Sequence, residues 1–364
     1  MNYEERAQRR LEVIDSYSAV WVWKKWTIFW FPFTSEEVEL VLVPVPWDVT
    51  TSDRPGTVNG PEQILDASTR LDFFDEDYLD WWRKGVYMDE IPQQIKSLSV
   101  ETRPKAAKLI EAQEKGIDIN SDTQLKRLLD EVNIACSQMV TWVQVTTEFW
   151  LSEWKLVWLI WGDHSVPLGF YQSLAKQHKS FWILHIDAHC DLREEDGKPG
   201  YEGFLYSHAS IMTNAIACIP QIEKIHQVWI RDCSEDEVLF VANSSGKVQI
   251  FSNDALSREA FFWTSWEATC KKIVADLPQK VHISFDIDGL KPSLCPDTGT
   301  PVAWGFEVAQ IKFLLQVLLE SGKQIIGFDL VEVSNGPSDN VINAKVGADV
   351  LKMLCAKILQ SHFK

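Results

Sequence analysis

Cysteine is sparse and unpatterned in this 364-residue chain: seven residues, an odd number, widely spread and with no Cys-x-x-Cys pair. That argues against a disulfide framework and against thiolate-rich zinc, and points to free thiols in a reducing compartment. Basic residues are also short, 35 Lys and Arg against 52 Asp and Glu, for a formal charge of −17. Phosphate contacts need clustered cations, so no nucleic-acid partner is expected. No apolar run is long enough to span a bilayer. The most aromatic stretch, Trp21 to Phe33, is interrupted by Lys24, Lys25 and Pro32. It reads as an amphipathic arm packing on the body or on a neighbouring subunit rather than a membrane-surface anchor. The charged N-terminus has no apolar signal-peptide core, so the expectation is a cytoplasmic protein with no membrane partner. Repeats and low-complexity segments are absent.

Present instead are eight short β-branched and aromatic runs separated by helical patterns. They span 38–45, 84–89, 155–161, 181–187, 225–231, 247–252, 280–286 and 323–330. Near-continuous apolar strands suit a sheet covered on both faces, and their alternation with helices predicts an α/β fold around a mostly parallel eight-stranded sheet. The organisation expected is an aromatic-rich extension over 1–36 and one catalytic domain over 37–364. Residues 93–154 form a helical elaboration within it, with helices near 104–115 and 123–150.

The chemistry falls at strand ends. One run leads into Gly162-Asp163-His164-Ser165, another into Asp187-Ala188-His189-Cys190-Asp191, a third into Asp286-Ile287-Asp288 and a fourth into Val331-Glu332. In open α/β sheets, ligands bind beyond the carboxyl ends of the strands. In Asp187-x-His189-x-Asp191, and again in Asp286-x-Asp288, alternation turns the side chains to one side if the extended backbone persists. Mixed imidazole and carboxylate ligands suit Mn²⁺, Ni²⁺ or Fe²⁺. Six candidate ligands exceed the need of one ion, and bridging carboxylates hold two ions about 3.5–4 Å apart, lowering the pKa of a bridging water. A buried ion-paired core is the alternative, opposed by the repulsion of so many acids in one cleft.

These residues resemble a family. WGDHS (161–165), DAHCD (187–191), SFDIDGLKPSLCPDTGTP (284–301) and DLVEV (329–333) are similar to the signature blocks of the ureohydrolases, which include arginase and agmatinase. The resemblance begins near residues 43–64, and Tyr201-Glu202-Gly203 with Ser207-His208-Ala209-Ser210 looks more like the agmatinase branch. It implies a three-layer arginase-like fold and two divalent ions, Mn²⁺ first and Ni²⁺ second. It assigns one ion to His164, Asp187, Asp191 and Asp286, and the other to Asp187, His189, Asp286 and Asp288.

The catalytic set it implies is His208 as proton relay, Glu332 against the guanidinium, and Asp191, which is also a ligand. Asp163 and Ser284 would orient ligands. The implied reaction is hydrolysis of a small cationic guanidino compound to urea and an amine, agmatine first. Guanidine, arginine and guanidinobutyrate are alternatives. A non-catalytic family member and a deacetylase of related fold are further readings, the first disfavoured by the intact ligand set and the second by the Asp286–Asp288 pair. A homo-oligomer, trimer or hexamer, is implied too. Trp161, Lys291, Asp297 and Trp304 depart from the family's usual residues, and Trp304 is a candidate pocket wall.

Overall fold

The computed structural model describes residues 3–16, 27–336 and 341–363. Among them are ten strands: β1 (Leu40–Pro44), β2 (Val86–Met88), β3 (Leu156–Ile160), β4 (Phe181–Ile186), β5 (Glu194–Glu195), β6 (Lys198–Pro199), β7 (Ile222–Val228), β8 (Val248–Phe251), β9 (Lys280–Asp286) and β10 (Gln324–Val331). Eight form one sheet in the order β2-β1-β3-β10-β9-β4-β7-β8. Every pairing within it is parallel. All eight expected runs became strands of this sheet, and the sheet is fully rather than mostly parallel. The strands are buried on alternate and consecutive positions alike, as helices on both faces require. The separate β5–β6 hairpin was not expected; Asp196-Gly197 supplies its turn, both with positive φ.

Element boundaries moved for identifiable reasons. The run at 225–231 begins earlier, at Ile222, and stops at Val228 because Trp229 takes φ +77°. The helix expected near 104–115 is Gln93–Glu114 and runs through Pro104. Its buried face, Ile95, Ser99, Thr102, Ala106 and Leu109, is continuous across the proline, and packing outweighs one lost backbone bond. The second helix is Thr123–Ser152, capped by Asp122.

Of the aromatic arm, residues 21–26 lie outside the described residues. Ile28, Phe29, Phe31 and Phe33 are buried in the body, with Phe31 ring centroids 4.8 Å from Phe73 and 5.6 Å from Trp81. The helix Tyr3–Ser16 docks beside them through Arg10, which donates to Glu39 at 2.7 Å. Lys155 is buried next to this pair, donating to the Val38 carbonyl at 2.8 Å and forming no ion pair among the described residues. Burial first, then the Arg6 charge, push its pKa down to about 8. Between pH 8 and the unfolded value of about 10.4, the unfolded chain holds the extra proton, so stability rises with pH in that window. Denaturant midpoints of wild type and Lys155→Met across pH 7–10.5 are expected to show this rise in wild type alone; parallel curves would refute it.

The carboxyl ends of the central strands finish in step. Ile160, Leu330, Phe285, Ile186 and Val228 lie in register across β3, β10, β9, β4 and β7. The chain passes from β3 to β4 and returns later to fill the gap with β9 and β10. That places a topological switch at the centre of the sheet, where a cleft opens at the carboxyl edge.

Candidate metal centre

Four adjacent strands, β3, β10, β9 and β4, deliver His164, Glu332, Asp286 and Asp187 to this edge. His164 Nδ1 lies 3.1 Å from Asp187 Oδ2, 3.0 Å from Asp191 Oδ2 and 3.3 Å from Asp286 Oδ2. On the far side of Asp187, His189 Nδ1 lies 3.5 Å from Asp187 Oδ1 and 3.0 Å from Asp288 Oδ2. Two groups of potential ligands, His164 with His185, Asp187 and Asp191, and Asp187 with His189 and Asp288, thus share Asp187, and Asp286 joins the first through its approach to His164.

Tautomers follow from the partners. Ser284 spends its only proton on Asp329, at 2.8 Å, so it accepts from His164 Nε2, also at 2.8 Å. The other ring nitrogen, Nδ1, is buried, makes no hydrogen bond, and faces three carboxylate oxygens. Burial alone would lower the pKa of His164, but contacts to Asp187, Asp191 and Asp286 hold it well above the usual imidazole range. Burial and the Asp288 and Asp187 charges push Asp286 well up. The pocket therefore demands positive charge at Nδ1, which a proton or a metal ion satisfies. Oxygen and nitrogen donors in this ratio fit Mn²⁺-class divalent ions.

Sequence alternation did not survive past the strand ends. Asp191 sits at φ +53°, and Asp288 belongs to the 3₁₀ turn Ile287–Gly289. Asp288 is brought beside Asp286 by that turn, its N–H donating to Asp286 Oδ1 at 2.8 Å. The six residues converge, but through tight turns rather than extended backbone.

The cleft above them, about 210 Å³, is also lined by Ser52, Arg193, Tyr201, His208, Asp232, Glu237, Thr300 and Glu332. Larger hollows of about 710 and 690 Å³ elsewhere hold no such cluster among the described residues. Glu332 accepts from the His164 N–H at 2.9 Å through Oε1, while its buried Oε2 has no partner. Burial, then the Asp163 charge, push its pKa well above the carboxylate range. His208 is pushed down to about 3, by burial and then by the His189 and His164 charges.

A profile of the Arginase family matches residues 38–356. The chain belongs to the Arginase family. It is 29% identical over 303 residues to an N(1)-aminopropylagmatine ureohydrolase of Thermus thermophilus, covering 82% of this chain and 84% of that one. It is 28% identical over 327 residues to the agmatinase of Proteus mirabilis, covering 89% and 90%. In fold it is similar to the agmatine ureohydrolase of Thermoplasma volcanium, with a TM-score of 0.68, 20% identity and coverage of 94% and 97%.

The departures of this Arginase-family chain leave the cleft alone. Trp161 and Trp304 both hold left-handed backbone, φ +72° and +73°, which glycine adopts without strain. Trp161 is wholly buried against Gly60, where an added Cβ would stand 3.2 Å from the Trp161 Cβ. Trp304 is not the pocket wall expected: it is 66% exposed and lines a different hollow with Phe261 and Arg258. The bridge Leu290–Phe306 fixes the neighbouring backbone, and Gly305 presses on the Leu290 carbonyl so closely that a Cβ would lie 2.4 Å from it. Lys291 pairs with Glu307, and Asp297 accepts from Asn343 at 3.1 Å. Asp163 touches no ligand side chain; it accepts from the Thr50 hydroxyl at 3.3 Å, and Thr50 in turn accepts from the His208 N–H at 3.2 Å.

Sequence reasoning missed His185. It donates from Nε2 to Asp187 Oδ2 at 2.7 Å, because Gln227 on β7 donates to its Nδ1 at 3.0 Å. The proton at Nε2 removes it as a ligand and makes it a residue that orients one. Its spacing two residues before Asp187 was the available signal. Arg193, Asp232 and Glu237 were missed too; Asp232 directly follows the run at 225–231, and that strand-end position was its available signal.

Proposed function

We propose that this chain is a binuclear metal-dependent ureohydrolase that cleaves a guanidino compound, agmatine first, to urea and an amine. The observation that carries the reading is the pair of ligand clusters sharing Asp187, with Glu332, whose buried Oε2 has no hydrogen-bond partner among the described residues, lining the same cleft. The catalytic domain is taken as 37–364, with 1–36 as its extension.

His164, Asp187, Asp191 and Asp286 would hold one ion, and Asp187, His189, Asp286 and Asp288 the other, with Mn²⁺ preferred over Ni²⁺. Bound there, the two ions supply Lewis acidity and water activated at neutral pH. Glu332 offers Oε2 to the guanidinium while its Oε1 stays on the His164 N–H, so the carboxylate is held in place before substrate arrives. The cation's approach favours the ionised carboxylate and reverses the upward pKa shift. His208 is neutral and within 3.5 Å of the Ser52 hydroxyl at the cleft wall. It would relay a proton to the departing amine.

With Asp191 and Asp286 assigned to metal and Glu237 paired with Arg193 at 3.5 Å, Asp232 and Glu332 are the acids left on the lining. That excess of acid suits a cationic substrate. Neither Trp161 nor Trp304 lines the cleft, so neither narrows it toward free guanidine. No helix among the described residues is long and apolar enough to cross a membrane. A cytoplasmic homo-oligomer, trimer or hexamer, completes the proposal.

The test is urea release by protein loaded separately with Mn²⁺ and Ni²⁺, across agmatine, guanidine, arginine and guanidinobutyrate. Agmatine turnover with Mn²⁺ is expected to lead. No urea from any of them, with two ions demonstrably bound, would overturn the reading.

A further inference from the structure

The thiol of Cys190 lies between two proposed ligands, His189 and Asp191, and donates to the Cys233 sulfur at 2.8 Å. Backbone geometry places the pair. Beyond the ends of β4 and β7, His189 and Asp232 form a parallel bridge, and the Arg231 and Asp232 N–H groups both donate to the Ala188 carbonyl, at 2.8 and 3.0 Å. One residue further along each chain stand Cys190 and Cys233. Adjacent extended chains run about 4.7–4.9 Å apart, within the Cα separation a disulfide accepts. Gln227 holds the same segment, donating to the Cys190 carbonyl at 2.6 Å. Cys190 is buried and Cys233 half-buried, so solutes reach the pair through Cys233.

We propose that Cys190 and Cys233 are a thiol–disulfide exchange site, forming a reversible disulfide that straps the metal-ligand loop 187–191 to the segment following β7. The co-reactant is a low-molecular-weight disulfide. The Cys233 thiolate attacks one of its sulfurs, forming a mixed disulfide and releasing one small thiolate. Cys190, its proton lost, then attacks the Cys233 sulfur and expels the second. The two small thiolates take up the two protons; the protein loses two electrons and the small disulfide gains them. The bond crosses between two chain segments already bridged by backbone, so it closes without rearranging the ligands. It confines Cys190 and, through it, the flanking His189 and Asp191.

The effect on metal rests on the function proposed above; the disulfide itself does not. The experiment treats the full-length protein with oxidised glutathione and maps its peptides without reduction. A single Cys190–Cys233 cross-link, loss of two free thiols and full reversal by dithiothreitol are expected. Oxidised protein should melt several degrees higher when stripped of metal, and should pass Mn²⁺ to a chelator several-fold more slowly than reduced protein. Cys233→Ser, a half-exposed near-isosteric change, should abolish the cross-link, the thermal shift and the slower release of Mn²⁺. A persistent glutathione adduct on Cys233, cross-links through other cysteines, or a thermal shift retained in Cys233→Ser would overturn the proposal. If the protein binds no Mn²⁺, the metal reading fails, while the peptide map and the metal-free melting curve still decide on the strap.

Discussion

Asp187→Asn is expected to leave the protein folded, to take bound metal from two ions per chain to one or none, and to lower urea release by more than about a hundredfold. Removing a group that merely orients a ligand costs roughly 10–100-fold, and Asp187 belongs to both clusters. Its Oδ2 stands 3.1 Å from His164 Nδ1 and its Oδ1 3.5 Å from His189 Nδ1, so no neighbour replaces it. Asparagine keeps the volume, and one oxygen can still accept from the His185 Nε2–H. Loss of one negative charge also relieves crowding with Asp191 and Asp286, whose pKa values are raised by burial and then by neighbouring carboxylates. Metal content by elemental analysis, alongside circular dichroism, checks the prediction. A variant holding two ions at full turnover would show that the ligand assignment is wrong.

For Glu332→Gln the split between metal and substrate carries the information. kcat/KM for the guanidino substrate should fall roughly a hundredfold, the 2–3 kcal/mol of a lost charge-assisted contact, with metal content unchanged. Glu332 belongs to neither cluster; it accepts from the His164 backbone through Oε1, and its buried Oε2 has no hydrogen-bond partner among the described residues. A glutamine oxygen preserves the first contact and offers the guanidinium an amide where it needs an anion. Equal losses of metal and of turnover would remove Glu332 from substrate binding and make it a support for the His164 loop.

The eight strands and the six converging candidate ligands were legible because both are local. Apolar runs of five to eight residues between helical patterns allow few structures other than a covered parallel sheet. Residues just past such strands must emerge at one edge. Turn geometry was not legible. Asp191 and Asp288 reach the centre through a left-handed residue and a 3₁₀ turn, and alternation mistook both for extended chain. His185 needed a partner 42 positions away, Gln227, before its protonated nitrogen could be assigned to Asp187.

The sequence by itself determined the layer architecture and placed histidines and carboxylates at strand ends, and its motif blocks carried the resemblance to the family, since each depends on side-chain type and order along the chain. Tertiary structure alone decided which ring nitrogen of His164 is bare, that Trp304 faces away from the cleft, that Arg193 and Asp232 enter it, and that two cysteines 43 positions apart come into contact. Those outcomes depend on how loops from different strands pack at one sheet edge. Hydrogen bonds such as Ser284 to Asp329 and close backbone approaches such as Gly305 to Leu290 select among conformations that the local sequence leaves nearly equal.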